Sequence, residues 1–227
     1  MEAKSVDEIP TGGEWQYEPK WDGFRCVAFR EGDEIYLQSK AGQPLARYFP
    51  DIVAALGQLS AKRFILDGEL VIPVDGALVF DELQLRLHPA ASRVQKLAAA
   101  HPAMMVAFDL LADADGKSLM ALPLRERRKR LEAFASEHLK PKSAIRLSPA
   151  TMKLATAQKW FDKVGGDLDG VIAKQIDAAY ASGERTAMVK VKQIRTVDCV
   201  IGGFLNASNR AASAFRSLAL KPEVNPT

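Results

Sequence analysis

The stretch of sequence that decides the fold runs from residue 18 to residue 25 and reads Glu18-Pro19-Lys20-Trp21-Asp22-Gly23-Phe24-Arg25. It places a lysine beside an aspartate, a glycine and an arginine, between two apolar runs. These runs predict strands over residues 15–19 and 24–30, and a hairpin turn at Gly32-Asp33 leads into a further strand over residues 34–39. Lys20 is therefore expected at the end of a strand.

The chemistry open to Lys20 depends on its protonation state. A lysine amine attacks phosphorus only when it is neutral, so its ordinary pKa of about 10.4 must be lowered by burial or by neighbouring cations. Arg25 and a bound metal ion are the candidates for that neighbouring charge. The alternative is a surface hairpin in which Lys20 forms a salt bridge and does no chemistry.

Three more segments place polar residues within or beside apolar strands. Asp67-Gly68-Glu69 interrupts a predicted strand over residues 63–73, and its two carboxylates suit a ribose hydroxyl or a divalent ion, or simply a tight strand junction. Asp169 enters another apolar strand and Lys174 leaves it. Lys190 and Lys192 alternate with valines, so both ammonium groups fall on one face of a strand. A phosphate between them would relieve their repulsion, whereas an exposed edge strand protected by lysines is the alternative.

The remaining pattern mixes helices and strands without a regular alternation. Apolar spacing predicts helices over residues 48–59, 80–87, 123–137 and 153–164, and strands over residues 104–111, 170–174, 187–192 and 197–204. The basic run 125–130 is interpreted as the solvated face of its helix. Because hairpin signals favour antiparallel pairing, the predicted class is α+β.

Composition narrows the classes of protein that fit. The 227 residues are 48% hydrophobic and carry a net charge of +3, which is too small to identify a polyanionic partner. The segment 185–221 has seven basic residues and one acidic residue, so it predicts either a phosphate-binding surface or a solvated face. Cys26 and Cys199 lie in apolar runs and are interpreted as buried hydrophobes. With no apolar stretch of membrane-spanning length, we expect a cytoplasmic monomer.

In this order, the motifs resemble those of the covalent nucleotidyltransferases, the superfamily of DNA ligases, RNA ligases and mRNA capping enzymes. The resemblance covers roughly residues 9–205 and is greatest to small bacterial ATP-dependent DNA ligases of the repair type. The matching segments are Lys20-Trp21-Asp22-Gly23 with Arg25, Ser39-Lys40, Leu66 to Val71, Val106 to Leu111, Asp169 to Lys174, and Val189 to Lys192.

The resemblance implies an ATP-grasp-like adenylation domain over residues 1–195, built of two subdomains with antiparallel sheets and flanking helices. In the family, an oligonucleotide-binding barrel of about a hundred residues follows, whereas 32 residues remain here from Thr196. Residues 196–227 are therefore expected to be an incomplete stub of that barrel. We accordingly expect nick sealing by the chain alone to be weak.

The resemblance also implies a role for individual residues. Lys20 would form the phosphoramidate with AMP, Arg25 and Glu69 would contact the ribose side, and Phe108 would stack on adenine. The other assigned residues are Glu18 near the adenine amino group, Lys174 in the nucleotide pocket, Lys190 and Lys192 at the α-phosphate, Asp169 and Glu69 at the metal, and Lys40 at the DNA 5′-phosphate. Three positions depart from the family pattern: Asp169 replaces a glutamate, Met188 an aromatic residue and Lys40 an arginine.

The implied reaction uses ATP with Mg²⁺ or Mn²⁺ and transfers AMP to the 5′-phosphate of nicked duplex DNA during repair or recombination. A separate DNA-binding or barrel-domain protein is a further candidate partner. Two alternatives remain open at this point. The chain could be a non-catalytic nucleic-acid-binding remnant, or an RNA ligase or capping-type enzyme with the same first half-reaction.

Overall fold

The computed structural model describes residues 1–164 and 168–192. Its strands are β1 (Lys4–Ser5), β2 (Trp15–Trp21), β3 (Phe24–Glu31), β4 (Glu34–Ser39), β5 (Arg63–Val71), β6 (Pro73–Val74), β7 (Ala77–Leu78), β8 (Met104–Ala112), β9 (Ile145–Leu147), β10 (Leu168–Gln175) and β11 (Met188–Val191). Its α-helices are α1 (Pro50–Gly57), α2 (Phe80–Arg86), α3 (Ala91–Ala100), α4 (Leu124–His138) and α5 (Leu154–Phe161), and a 3₁₀ turn spans Ala46–Tyr48.

The first sheet has the strand order β1-β11-β10-β2. Strand β10 is antiparallel to both β2 and β11, and the short β1 joins β11 in parallel. One face packs on α5 through a cluster that contains Tyr17, Ala157, Val171 and Ala173. Because side chains alternate along a strand, the residues between these apolar positions lie on the opposite face, which carries the candidate site.

The second sheet has the strand order β4-β3-β5-β8-β9, antiparallel except for the pair β8 and β9. It bears the largest core cluster, in which Cys26, Leu66 and Leu110 from the sheet pack with Phe49 and Ile52. Burial raises the pKa of the Cys26 thiol to about 12, consistent with its interpretation as a small buried hydrophobe. The predicted α+β class is confirmed, with parallel pairs added at one edge of each sheet.

Two short segments connect the sheets. Tyr17 of β2 and Thr151 exchange two backbone hydrogen bonds of 2.8 and 2.9 Å, just beyond β9. On the other side, the segment after β10 accepts two backbone hydrogen bonds from the start of α4: Leu124 donates to the Ala178 carbonyl at 3.0 Å and Arg125 donates to the Ile176 carbonyl at 2.9 Å. These backbone hydrogen bonds therefore fix the position of one sheet relative to the other.

Two local predictions were wrong. Strand β5 runs without a break through Asp67-Gly68-Glu69, because its neighbours β3 and β8 pair with it along its whole length. The basic run on α4 is only partly solvated, since Arg127 is 0% exposed and Arg128 is 9% exposed. Arg127 makes two bonds of 2.9 and 3.0 Å to the buried Asp109, and this pairing explains how a guanidinium is tolerated in the interior.

The pattern also missed helix α3 and the short strands β1, β6, β7 and β9. The predicted strand over residues 197–204, Cys199 and the proposed barrel stub lie outside the residues that the structure describes. Within the described ranges, none of the helices combines the length and the apolar character needed to cross a membrane.

Candidate functional site

The phosphate-binding half of the candidate site lies on the open face of the first sheet. In the strand register, Lys20 pairs with Gly170, and Ile172 lies between Glu18 and Lys190. Since directly paired residues point to the same side of a sheet, Glu18, Lys20 and Lys190 share one face. This confirms the alternation predicted for the last strand, where the valines face the other way.

Lys20 is held by a single carboxylate. Its Nζ lies 2.5 Å from Oδ2 of Asp169, and Nζ of Lys192 lies 2.6 Å from the same oxygen. The Lys20 and Asp169 side chains are 20% and 28% exposed, so solvent and a ligand can reach them. Partial burial would raise the pKa of Asp169, but the two ammonium groups hold it below its usual value.

A β-bulge explains how Asp169 reaches Lys20. Leu168 pairs with Trp21 and Gly170 pairs with Lys20, so Asp169 is an extra residue on β10. With strict alternation, the Asp169 side chain would lie on the face opposite that of Gly170. The bulge instead turns this side chain toward Lys20. Gly170 has φ +149° and its α-carbon approaches the Val191 carbonyl so closely that a β-carbon would lie 2.0 Å from that oxygen. Only glycine fits at this position.

Further cations surround Lys190. Burial lowers the pKa of Lys190, and the positive charges of Lys192, Lys20, Lys40 and Arg185 lower it further. Lys40 is 62% exposed and its Nζ lies 3.5 Å from the Glu2 carboxylate, which also accepts a bond of 3.1 Å from Arg185. The cluster is therefore a positively charged surface suited to phosphate groups.

The second half of the site lies on the facing side of the second sheet. Arg25 of β3 is paired with Glu69 of β5, and its guanidinium donates two hydrogen bonds of 2.5 Å to Asp67. Asp67 has no exposed surface. Burial would raise the pKa of Asp67, but Arg25 and the Tyr180 hydroxyl hold it below its usual range. The charge of Arg25 is thus balanced by Asp67, whereas Lys192 shares the Asp169 oxygen with Lys20.

Phe108 lies at a second bulge. Asp67 pairs with Asp109 while Gly68 pairs with Ala107, so Phe108 is the extra residue on β8. As a result Phe108 and Asp109 both project away from the core, between the core residues Ala107 and Leu110. The ring lies 4.8 Å from the Arg25 guanidinium and 4.6 Å from Nζ of Lys174. Both distances are within the range of cation–π contacts, so Arg25 and Lys174 help to fix the ring.

Glu18 and Lys174 form a buried ion pair beside Phe108. Their side chains are 3% and 4% exposed, and Nζ of Lys174 donates to Glu18 at 2.8 Å. The amide of Gln16 donates to the other Glu18 oxygen at 2.6 Å. Glu18 is therefore fixed as a hydrogen-bond acceptor at the wall of the pocket, as reading an amino group requires.

The described residues could bind a divalent ion only together with phosphate oxygens of a substrate. Among them, no group of three acidic, histidine or cysteine side chains is arranged to hold a metal ion. Mg²⁺, however, is commonly bound by one or two carboxylates together with substrate phosphate oxygens. Asp169 beside the lysine cluster meets this description. Burial raises the pKa of Glu69, and Arg25 and Lys20 lie close enough to oppose that rise with their positive charges.

Glu69 should make stability depend on pH. Burial raises its pKa from 4.5 to about 7, against the opposing effect of Arg25 and Lys20. Between these two values the unfolded chain releases the proton and the folded chain keeps it, so the free energy of unfolding falls as pH rises through this window. Glu69→Gln cannot ionise, and we expect it to gain stability relative to the unchanged protein between pH 4.5 and 8. Thermal unfolding at several pH values measures this, and a pH-independent difference between the two proteins would contradict it.

The structure thus brings together all the residues assigned from the sequence, with Lys40 at the periphery. Sequence reasoning missed three of their neighbours: Gln16, Tyr180 and Arg185. Asp67 was considered with Glu69 for a ribose hydroxyl or a divalent ion, whereas in the structure both of its oxygens accept hydrogen bonds from Arg25. For Tyr180 there was no signal beyond a single aromatic residue in a run of small residues.

Comparison with known proteins agrees with this geometry. Residues 1–192 match the family model described as the ATP dependent DNA ligase domain. The chain is 47% identical over 221 residues to DNA ligase C2 of Mycolicibacterium smegmatis, covering 97% of this chain and 60% of that protein. It is 45% identical over 206 residues to DNA ligase C of Mycobacterium tuberculosis, covering 90% and 56%.

Among solved structures, a mycobacterial DNA ligase D complexed with ATP and MES superposes with a TM-score of 0.62 at 25% identity, covering 84% of this chain and 60% of that one. The ligase domain of Mycobacterium tuberculosis LigD gives a TM-score of 0.64 at 26% identity, covering 83% and 58%. The chain spans 56 to 60% of the length of the two curated relatives named above. With the family model matching most of its length and the lysine, carboxylate and aromatic groups in place, the chain belongs to the ATP-dependent DNA ligase domain family.

Proposed function

We propose that this chain transfers AMP from ATP to Nζ of Lys20 and then to the 5′-phosphate of nicked duplex DNA. The observation that carries the proposal is the contact of Lys20 and Lys192 with one carboxylate oxygen of Asp169. Glu69 lies close enough to interact with both Lys20 and Arg25, and Arg25 lies 4.8 Å from the Phe108 ring. In this proposal, Lys20 is the nucleophile, the neighbouring lysines bind phosphate, and Arg25, Glu69 and Phe108 contact the nucleoside. Three mycobacterial relatives, DNA ligases C2, C and C1, are named as DNA ligases, which supports DNA as the final acceptor.

In the first half-reaction, Nζ of Lys20 attacks the α-phosphorus of ATP. A nitrogen–phosphorus bond forms, the bond to the pyrophosphate oxygen breaks so that pyrophosphate leaves, and the partly exposed Nζ gives up its proton to solvent. Lys20 must first leave its contact with Asp169. Lys190 and Lys192 balance the charge that develops on the phosphate oxygens, which is the main catalytic requirement of phosphoryl transfer. Mg²⁺ or Mn²⁺, held by Asp169, with Glu69 as a second candidate ligand, and by phosphate oxygens, would add to this neutralisation.

Recognition of the base and sugar is assigned to the second sheet and its neighbours. Phe108 provides the stacking surface, and the fixed acceptor oxygens of Glu18 suit the adenine amino group, which guanine lacks at that position. Lys174 holds Glu18 in place. Arg25 and Glu69 are the proposed contacts of the ribose, and the Coulombic effect of Lys20 on Glu69 supports their closeness to the proposed nucleophile.

In the second half-reaction, a DNA 5′-phosphate is expected to approach over the exposed cations. Lys40 contributes a mobile point charge there, and Arg185 contributes a planar donor group. We propose that the adenylation domain spans residues 1–195, consistent with a compact unit over Met1–Ile194, and that residues 196–227 belong to an oligonucleotide-binding domain.

The test is incubation of the protein with α-labelled ATP and Mg²⁺ or Mn²⁺. Covalent label that is acid-labile and alkali-stable is expected, as for a phosphoramidate. Absence of label from ATP would contradict the proposal and favour a nucleic-acid-binding role. Preferential labelling by GTP would instead indicate capping-type chemistry.

Phe108→Ala is expected to weaken ATP binding by roughly 1 to 3 kcal/mol, the usual contribution of a base stacked on an aromatic ring. Calorimetric titration of the folded variant measures this. Phe29→Ala is the matched control, because Phe29 is also half-buried on β3 of the same sheet but its ring contacts Tyr36. If Phe108→Ala lowers only thermal stability and leaves ATP affinity unchanged, Phe108 is an ordinary packing residue.

A further inference from the structure

Tyr180 makes a contact that the mechanism above does not use. It lies in the connection between β10 and β11 of the first sheet, but its hydroxyl donates a 2.7 Å hydrogen bond to Oδ2 of Asp67, on β5 of the second sheet. This hydrogen bond therefore joins the half of the molecule that carries Lys20 and Lys190 to the half that carries Arg25. Burial raises the pKa of Tyr180, so the hydroxyl stays a donor at neutral pH.

The hydrogen bond from Tyr180 is the third that the buried Asp67 carboxylate accepts. Oδ1 of Asp67 accepts Nε of Arg25, and Oδ2 accepts both Nη2 of Arg25 and the tyrosine hydroxyl. Asp67 is thereby fixed on both oxygens. Because Arg25 binds it with two parallel bonds, the plane of the guanidinium is fixed with it. The position of the Tyr180 hydroxyl therefore determines, through Asp67, the position of Arg25. The Arg25 guanidinium lies 4.8 Å from the centroid of the Phe108 ring.

Tyr180 itself is firmly anchored. Its backbone N–H donates to the Met120 carbonyl at 2.8 Å, and the Arg127 guanidinium lies 5.7 Å from its ring centroid. Arg127 in turn donates to the Ala178 carbonyl at 3.1 Å and clamps Asp109, the residue after Phe108. An anchor of this kind gives the hydroxyl a defined position from which to orient another side chain.

We propose that Tyr180 is a positioning residue that orients Arg25, through Asp67, against the ribose of the bound nucleotide. This proposal rests on the function proposed above and deepens it. It links the connection between β10 and β11 to the nucleoside pocket, so that a residue beside the phosphate-binding lysines sets the geometry on the sugar side. Preorganised groups of this type contribute mainly to binding and orientation.

The test is Tyr180→Phe, which removes the hydroxyl and keeps the ring. We expect the ATP concentration for half-maximal lysyl-AMP formation to rise by about threefold to tenfold, the usual effect of losing one hydrogen bond, while the maximal rate changes by less than about twofold. The preference for ATP over 2′-deoxyATP should fall by a similar factor, because the sugar contact is the one that loosens.

Tyr17→Phe is the matched control. Its hydroxyl also makes one bond, of 2.8 Å, to the Pro10 carbonyl, and its ring packs on the α5 face of the first sheet, away from the site. Both variants lose a hydrogen bond, so both are expected to unfold at a slightly lower temperature. Only Tyr180→Phe should change the dependence on ATP concentration and the discrimination between the two sugars.

A double variant tests whether Tyr180 acts through Arg25. In an Arg25→Met background, Tyr180→Phe is expected to change the half-saturating ATP concentration by less than about twofold, because the residue through which it acts is gone. If Tyr180→Phe has the same effect with and without Arg25, or behaves like Tyr17→Phe, the positioning role is wrong. If the unchanged protein forms no lysyl-AMP, the proposed function itself fails, and that result is distinguishable because it does not involve either variant.

Discussion

Lys20→Ala is expected to abolish covalent labelling by α-labelled ATP while leaving the fold intact. The variant has no amine at the position where the phosphoramidate forms. Asp169 keeps its 2.6 Å contact with Lys192, so the substitution leaves no carboxylate without a partner, and the thermal unfolding temperature should change little. Gel analysis of the labelled protein measures the loss directly.

Lys20→Arg sharpens this test because it keeps the positive charge. A guanidinium cannot be deprotonated in a protein, so it cannot attack phosphorus, and labelling should again be lost. Lys62→Ala is the control, since Lys62 is 63% exposed and pairs with Asp33 in the turn between β3 and β4. Undiminished labelling of either Lys20 variant would show that the nucleophile is another residue.

Arg127→Met is expected to cause the largest loss of stability among simple substitutions in α4. Arg127 and Asp109 are 0% and 3% exposed and share two hydrogen bonds. Removing one partner of a buried pair leaves an uncompensated charge and typically costs about 3 to 5 kcal/mol. For a domain of this size, the melting temperature should fall by roughly 6 to 20 °C.

Arg125→Met provides the contrast within the same helix. Arg125 lies two residues earlier, its side chain is 42% exposed, and it pairs with Asp177 and Glu14 at the surface. Surface ion pairs of this kind contribute little, so its melting temperature should be nearly unchanged. Equal losses for the two variants would mean that the burial of Arg127 has no special role.

The local sequence determined the hairpin of β3 and β4, the strand position of Lys20 and the alternation of Lys190 and Lys192. These features depend on interactions between residues close in the chain: glycine and aspartate in a turn, and the period of two along a strand. For the same reason the helices α1, α2, α4 and α5 were predicted within a few residues of their observed limits. The order of the motifs was enough to indicate the family.

The side-chain directions that complete the site were decided by tertiary structure alone. Asp169 and Phe108 face the site because each is the extra residue of a bulge, and a bulge exists only when a partner strand supplies the register against which one residue is surplus. Arg127 was predicted to be solvated because its neighbours are charged, yet Asp109 from a distant strand makes its burial possible. Likewise, nothing near Tyr180 in the sequence indicates its bond to Asp67, 113 residues away, because that bond forms only once the two sheets are assembled.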